Sequence, residues 1–446
     1  MIMSWAAEEF ESLDLGDARL DRRAVLLAER LSRKVGSSIP DACHGWSETV
    51  AAYRFLSNEE VSWDDVMAAH WRASAQRIAQ HPVVLYLQDT TELDYNGQQM
   101  EGLGPLNYEA QRGLYLHPTY AVTPGREPLG VVNVWAWARE FKTADGSRPG
   151  ILESTRWVES YERVAQRAVD MPQTRHVCVS DRESDIMALL VRARDLDHAA
   201  DYLVRSQHNR SLPEGDKLWD KVARTPVLGH VRFMLPGGRG RKARAVEQAL
   251  RVARMTLSDG AKGEVEVTCV IAEEINPPEG VKPVVWRLLT NRQATTLEDA
   301  CQLIDWYRAR WEIEMFFLVL KEGCRVERLQ LGHIDRLQVA LALYMVIAWR
   351  INRLMRLGRT VGELPADLLF ETEEWQAAFI LNKKAPPKKV PDLRTVIRLI
   401  AQRGGFLARK SDGEPGTKTI WLGMRELAVF VEGMRFAREN GWVGCV

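Results

Sequence analysis

Cysteine, glycine, proline and net charge are all unremarkable in this sequence, and each shortage closes off a class of protein. Its 446 residues include six cysteines, 31 glycines and 19 prolines, and the basic and acidic totals are equal at 60 each. Cys43, Cys178, Cys269, Cys301, Cys324 and Cys445 are scattered without a C-x-x-C pair, so neither a zinc site nor a disulfide framework is suggested and a reducing, cytoplasmic setting fits best. Glycine and proline are too few for collagen or a low-complexity chain. The longest uncharged apolar run, Val339 to Trp349, has 11 residues, short of the ~20 that a membrane-spanning helix needs. The start, Met-Ile-Met-Ser-Trp-Ala-Ala-Glu-Glu, lacks a basic n-region, so neither a membrane span nor secretion is expected. Zero net charge argues against a uniformly basic nucleic-acid binder and directs attention to local patches.

What is present is a 46% hydrophobic chain long enough for two or three domains of ~100–200 residues. Residues 1–65 read as helical, with Leu20 to Val35 at helical spacing, a break at Ser37-Ser38-Ile39-Pro40, and a resumption from Trp46 to Phe55. Arg19, Arg22, Arg23, Arg30, Arg33 and Lys34 form a stripe that can track phosphates or simply face solvent. From about residue 82 the pattern turns to strands: Val83 to Leu87, Leu114 to Val122, Leu129 to Arg139 and His176 to Ser180. Thr155 to Val169 reads as a helix. Residues 201–290 form a second strand-rich stretch, read as an inserted subdomain, with a basic glycine-rich loop from Pro236 to Lys242. This loop lacks the Lys-Ser/Thr ending of a P-loop and reads as a hairpin tip. Helices dominate after Leu297, and a basic Asn382 to Lys389 linker precedes the last ones. The fold class expected is α/β with helical N- and C-terminal domains, divided at about 1–65, 66–370 and 371–446.

Thr295 to Gly323 reads as one helix opening on a Thr295-x-x-Glu298 capping box. At 100° per residue, Tyr307, Arg310, Glu314 and Lys321 project within an arc of about 60°, whereas Glu312 points about 140° from Tyr307. Arg310 and Glu314 can form an i,i+4 ladder. The apolar residues Phe316, Phe317, Leu318 and Leu320 instead suggest a partly buried carboxylate that needs a partner. Asp89 and Asp181 each end an apolar strand, where an isolated Asp is either a turn residue or, at the edge of an α/β sheet, a site residue. Two such aspartates and a helical glutamate make the oxygen-only donor set preferred by Mg²⁺ or Mn²⁺, which points to metal-assisted phosphoryl transfer.

The Tyr307-x-x-Arg310-x-x-x-Glu314-x-x-x-x-x-x-Lys321 spacing resembles the Y-R-E-K signature of bacterial DDE transposases of the insertion-sequence IS-four family. Gln88-Asp89-Thr90-Thr91 and Ser180-Asp181-Arg182-Glu183-Ser184-Asp185-Ile186 resemble the family's two aspartate motifs, and Ala51 to Phe55 and Ala272 to Pro278 are also similar. The resemblance implies an RNase H-like core with a β-rich insertion between the second Asp and the Glu, and a cut-and-paste activity. In such an enzyme Asp89, Asp181 and Glu314 would hold two Mg²⁺ ions, which Mn²⁺ can replace. Tyr307, Arg310 and Lys321 would hold phosphates, Trp286 would stack on a flipped base, and Arg205 would lie near that base. Trp286 also reads as a packing residue of the strand Val284 to Leu289. The family's acidic residue after the Glu is replaced here by Met315. The implied partners are transposon terminal inverted repeats, target DNA and a second copy in a synaptic complex, with nucleoid association and no membrane. The alternatives are an inactive DNA-end-binding regulator and an RNase H-like nuclease without strand transfer. His117 reads as a structural strand residue, and no histidine has a triad context.

Overall fold

A computed structural model describes residues 4–235, 243–258, 260 and 263–441; the glycine-rich loop Pro236 to Lys242 lies outside the described residues. The chain opens with α1 (Trp5–Glu9), α2 (Ala18–Arg33), α3 (Ile39–Ala42), α4 (Trp46–Leu56) and α5 (Trp63–Ile78). Asp17 caps α2, and Ser62 with Asp65 forms the capping box of α5. Ala24, Leu27, Ala28 and Leu31 recur at helical spacing and bury one face of α2. The opposite face carries the basic stripe, of which Arg19 and Arg30 are already paired with Asp17 and Glu48.

The centre is a mixed sheet. Its strands are β1 (Val83–Gln88), β2 (Thr91–Asp94), β3 (Gly104–Pro105), β4 (Arg112–Val122) and β5 (Pro128–Trp137). After helix α6 (Glu153–Asp170) come β6 (Arg175–Ser180), a short 3₁₀ turn over Arg182–Ser184, α7 (Met187–Asp195) and β7 (Asp201–Arg205). β5, β4 and β1 are antiparallel neighbours, and β1, β6 and β7 run parallel side by side. This order and these directions are those of an RNase H-like core. Alternation along β1 sends Leu85 and Leu87 into one apolar layer and Val84 and Tyr86 into the other. Both faces are covered by helices, which is why the parallel strands read as unbroken apolar runs.

The strands of 201–290 continue this sheet edge to edge instead of standing apart. After α8 (Leu218–Ala223) come β8 (Gly229–Leu235), β9 (Arg244–Ser258), β10 (Glu264–Glu274) and β11 (Val285–Thr290), and β11 pairs directly with β7. Backbone hydrogen bonding at β7, a core strand, draws the added strands into the same sheet.

The expected single helix from Thr295 to Gly323 is in fact three pieces: α9 (Leu297–Ala309), α10 (Trp311–Leu318) and a π-turn over Val319–Gly323. Its capping box is Thr296 with Asp299, one residue later than the sequence suggests. The break comes where Arg310 N donates to Tyr307 O and Ile313 N to Arg310 O, a local tightening of the i→i+4 ladder. α11 (Ile334–Thr360) then runs through the core with the apolar run Val339 to Trp349 wholly buried, and among the described residues no helix is long and apolar enough to cross a membrane. α12 (Thr372–Leu381), α13 (Leu393–Arg403) and α14 (Thr417–Glu439) share an apolar cluster with the end of α11. The linker Asn382 to Lys389 falls between α12 and α13.

Candidate active site

Strand register builds one side of the site. Gln88 of β1 pairs with Ser180 of β6, and Ser180 with Val204 of β7. The next residue on each parallel strand is therefore Asp89, Asp181 and Arg205, set in a row at the carboxyl edge of the sheet, where α/β folds bind ligands. Arg205 Nη1 stands 3.8 Å from Asp181 Oδ1. Thr90 N donates to Asp89 Oδ1, and Thr90 Oγ1 meets His117 Nδ1 at 2.9 Å. His117 is wholly buried on β4, and burial, then the nearby Arg156 cation, pushes its ring down to about 3.

α9 and α10 supply the facing wall. Arg310 Nη1 donates to Asp89 Oδ2 at 2.7 Å and reaches Glu314 Oε1 at 3.4 Å, while the Tyr307 hydroxyl donates to Asp181 Oδ1 at 3.4 Å. The i,i+4 pair is thus real, and it sits within the carboxylate set instead of on an open surface. Burial, then the like charges of Glu314 and Asp181, pushes Asp89 up to about 7 against the opposing pull of Arg310. Burial also works against the Arg310 charge, but Tyr307, Asp89, Asp181 and Glu314 together raise its hold on the proton. Tyr307 is raised by burial and by Asp181.

Trp286 on β11 stacks on Phe233 of β8, with centroids 5.2 Å apart and planes at 18°, and meets the edge of Tyr307 at 6.0 Å. It is half-buried and borders the carboxylate set through Tyr307. Arg308 covers Phe233 from 4.6 Å. Neither Phe233 nor Arg308 carries a sequence signal, because strand alternation and helix spacing give their facing but not their meeting. Lys321 is not among the carboxylates. It lies in the π-turn, and its Nζ donates to Glu92 O at 2.8 Å and pairs with Glu327 at 3.2 Å. A straight-helix projection cannot anticipate that, since a π-turn inserts an extra residue.

The donor set fits a hard cation in its chemistry: its ligands are all oxygen, and one carboxyl is pushed up to about 7 by burial first and then by Glu314 and Asp181. Among the described residues no three His, Cys, Asp or Glu side chains stand as a ready metal cluster; Arg310 lies between Asp89 and Glu314, and Arg205 lies beside Asp181. Glu312, two residues from Glu314, points the other way as its helical direction requires. It is buried and makes two hydrogen bonds with Arg356 of α11, one of them at 2.8 Å. This pins α10 to the core.

The two ends of the chain match known families. Residues 2–61 match the family described as transposase DNA-binding, and residues 346–444 match the transposase Tn5 dimerisation domain. The second match begins inside α11, before the boundary at 371 suggested by the sequence. Over 98% of this chain and 80% of the other, the fold aligns with a piggyBac transposase in a cryo-EM synaptic complex with hairpin DNA, at 10% identity and a TM-score of 0.37.

Proposed function

We propose that this Tn5-like transposase cuts DNA at transposon ends and joins the freed ends to a target, using Asp89, Asp181 and Glu314 as its reaction centre. The observation that carries the reading is the row of strand ends: adjacent parallel strands present Asp89 and Asp181 side by side, and Arg310 links Asp89 to Glu314. Each chemical step is an in-line displacement at phosphorus. A water or a 3′-hydroxyl gives up its proton and attacks, the new P–O bond forms, and the electron pair of the broken bond leaves on the 3′ oxygen. The proposed sequence is a nick, a hairpin made by the freed 3′-hydroxyl, hairpin opening and strand transfer.

Asp89, Asp181 and Glu314 would hold Mg²⁺, and such an ion supplies Lewis-acid polarisation of the phosphate and a more acidic water. Arg310 exchanges its carboxylate partners for a phosphate oxygen pair, a fit that a planar guanidinium favours. Tyr307 gives one hydroxyl bond to the strand and Lys321 a point charge further along it. Trp286, backed by Phe233, offers an aromatic face to an unstacked base, with Arg205 beside it. The N-terminal helices bind the end sequence, and a second copy completes a synaptic pair through the C-terminal helices.

The test is a Mn²⁺-dependent cleavage assay on DNA bearing the inverted repeats that flank the coding region, run beside Asp89→Ala, Asp181→Ala and Glu314→Ala. Hairpin-ended or 3′-hydroxyl products from wild type alone, with DNA binding kept by all four proteins, support the reading. Specific binding without cutting by wild type makes the chain an end-binding regulator, and strong cutting by any of the three variants overturns the site.

A further inference from the structure

Asp185 is a motif residue that the proposed chemistry leaves unused, and among the described residues near the site its carboxylate is the most completely enclosed. Its side chain is 0% exposed. Oδ2 accepts the backbone amides of Gln207 at 2.6 Å and His208 at 3.0 Å, and lies 3.4 Å from the Ser206 hydroxyl. Oδ1 pairs with Arg210 Nη1 at 2.5 Å, and the other Arg210 amino group donates to the Asp185 carbonyl at 2.7 Å. The loop from Ser206 to Arg210 is thereby wrapped around one buried charge. Its outer side is fastened by Trp219, whose indole N–H donates to Ser206 Oγ at 3.0 Å and whose backbone N donates to Asn209 at 2.7 Å.

The position of that loop matters. It begins one residue after Arg205, whose guanidinium faces Asp181, and Asp185 ends the 3₁₀ turn that begins at Asp181. The turn is tied down by Ser184 Oγ, which donates to Asp181 O at 2.7 Å. One carboxylate therefore fixes the strand end bearing Arg205 against the strand end bearing Asp181. A buried anion held by two amides and a guanidinium is a stiff joint, because losing one of its partners leaves an uncompensated charge. We infer that Asp185 is a positioning residue that holds the Arg205 guanidinium against Asp181 of the proposed reaction centre and, through that contact, sets the rate of DNA cleavage from the first nick onward. It touches no reacting atom. This rests on the proposed reaction centre.

The experiment is a double-substitution cycle on the full-length protein: wild type, Asp185→Asn, Arg205→Ala and the pair together, each assayed for single-turnover Mn²⁺-dependent nicking and for end-DNA affinity. Hydrogen exchange of the 205–212 segment is followed in parallel. Asp185→Asn should slow nicking by roughly 10–100-fold, the usual loss for an outer residue that orients a site, with DNA affinity within about 3-fold of wild type. Exchange should quicken in 205–212 and not elsewhere. In the Arg205→Ala background the same change should cost less than about 3-fold, because its route of action is already gone. Arg210→Lys, a milder change that keeps the buried charge paired, should give the same pattern at smaller size and serves if Asp185→Asn does not fold. Nicking by Asp185→Asn at the wild-type rate overturns the inference, and so does an undiminished penalty in the Arg205→Ala background. If wild type itself does not nick, the reaction centre fails and the inference falls with it, even where exchange still shows that Asp185 holds the loop.

Discussion

Arg310 and Asp89, 221 residues apart in the chain, are joined by a 2.7 Å hydrogen bond, and this one bond ties the kink between α9 and α10 to the end of the first core strand. The arginine neutralises part of a carboxylate set that would otherwise repel itself. Asp89 is still held up to about 7 by burial and by Glu314 and Asp181, so the site is costly to keep charged.

That cost has a pH dependence. Between the unfolded value of about 3.9 and about 7, folded Asp89 binds a proton that the unfolded chain has released, so this group makes stability fall as pH rises through that window. Asp89→Asn should therefore melt above wild type at pH 8 without divalent cation, by on the order of 1–3 kcal/mol, and level with it near pH 4. Mg²⁺ should narrow the gap by stabilising only wild type. Thermal melts at the two pH values decide it, and a variant less stable than wild type at pH 8 contradicts the account.

Glu9 is the opposite case. Burial opposes its charge, but His70 and the two 2.9 Å bonds from Arg77 outweigh this and hold it down at about 2. Val131 N donates to His70 Nε2 at 3.0 Å, so the ring proton sits on Nδ1 and points at Glu9. A depressed carboxylate adds stability that is present above the unfolded value of about 4.3 and lost as pH falls towards 2. Glu9→Gln, which leaves Arg77 without its carboxylate but with Leu129 O and Ser74 Oγ, should cost about 3 kcal/mol at pH 7. Urea melts read that cost, which should shrink below pH 4; an equal cost at pH 7 and pH 3 would show that charge is not the cause.

Trp286→Ala should slow hairpin formation more than the first nick, because only the hairpin step needs a base removed from the stack. Time courses that resolve nicked and hairpin species separate the two. Equal slowing of both would mean that Trp286 serves to pack Phe233 and Tyr307.

In the C-terminal helices, α13 and α14 cross at close range: a Cβ on Gly423 would lie 1.8 Å from the Ile400 carbonyl oxygen, and one on Gly404 1.9 Å from that of Thr419. Gly423→Ala must push the helices apart, at a cost of about 1–3 kcal/mol. Chromatographic mass and melting temperature should both drop if this body carries the dimer contact, and an unchanged melt would mean that the helices separate freely.

Some of this was legible in the sequence and some was not. β1 and β6 read as apolar runs ending in Asp, because strands buried on both faces need no polar alternation. Arg310 and Glu314 read as neighbours because a helix repeats every 3.6 residues. By contrast, the break at Arg310 and the π-turn at Lys321 carry no proline or glycine-pair signal, and a straight wheel put Lys321 with the carboxylates. Asp185 lies in the Ser180 to Ile186 motif, but its partners sit on a loop more than twenty residues later.

By itself, then, the sequence determined the local terms: which segments are strands or helices, which acidic residues end strands, and which side chains share a helix face. These follow from short-range periodicity and sterics. The tertiary structure alone decided that Asp89, Asp181 and Arg205 stand in one row, that Arg310 bridges Asp89 to Glu314, and that the strands of 229–290 extend the core sheet. Those relations come from register between strands far apart in the chain, fixed by which apolar faces bury together and which backbone groups find partners.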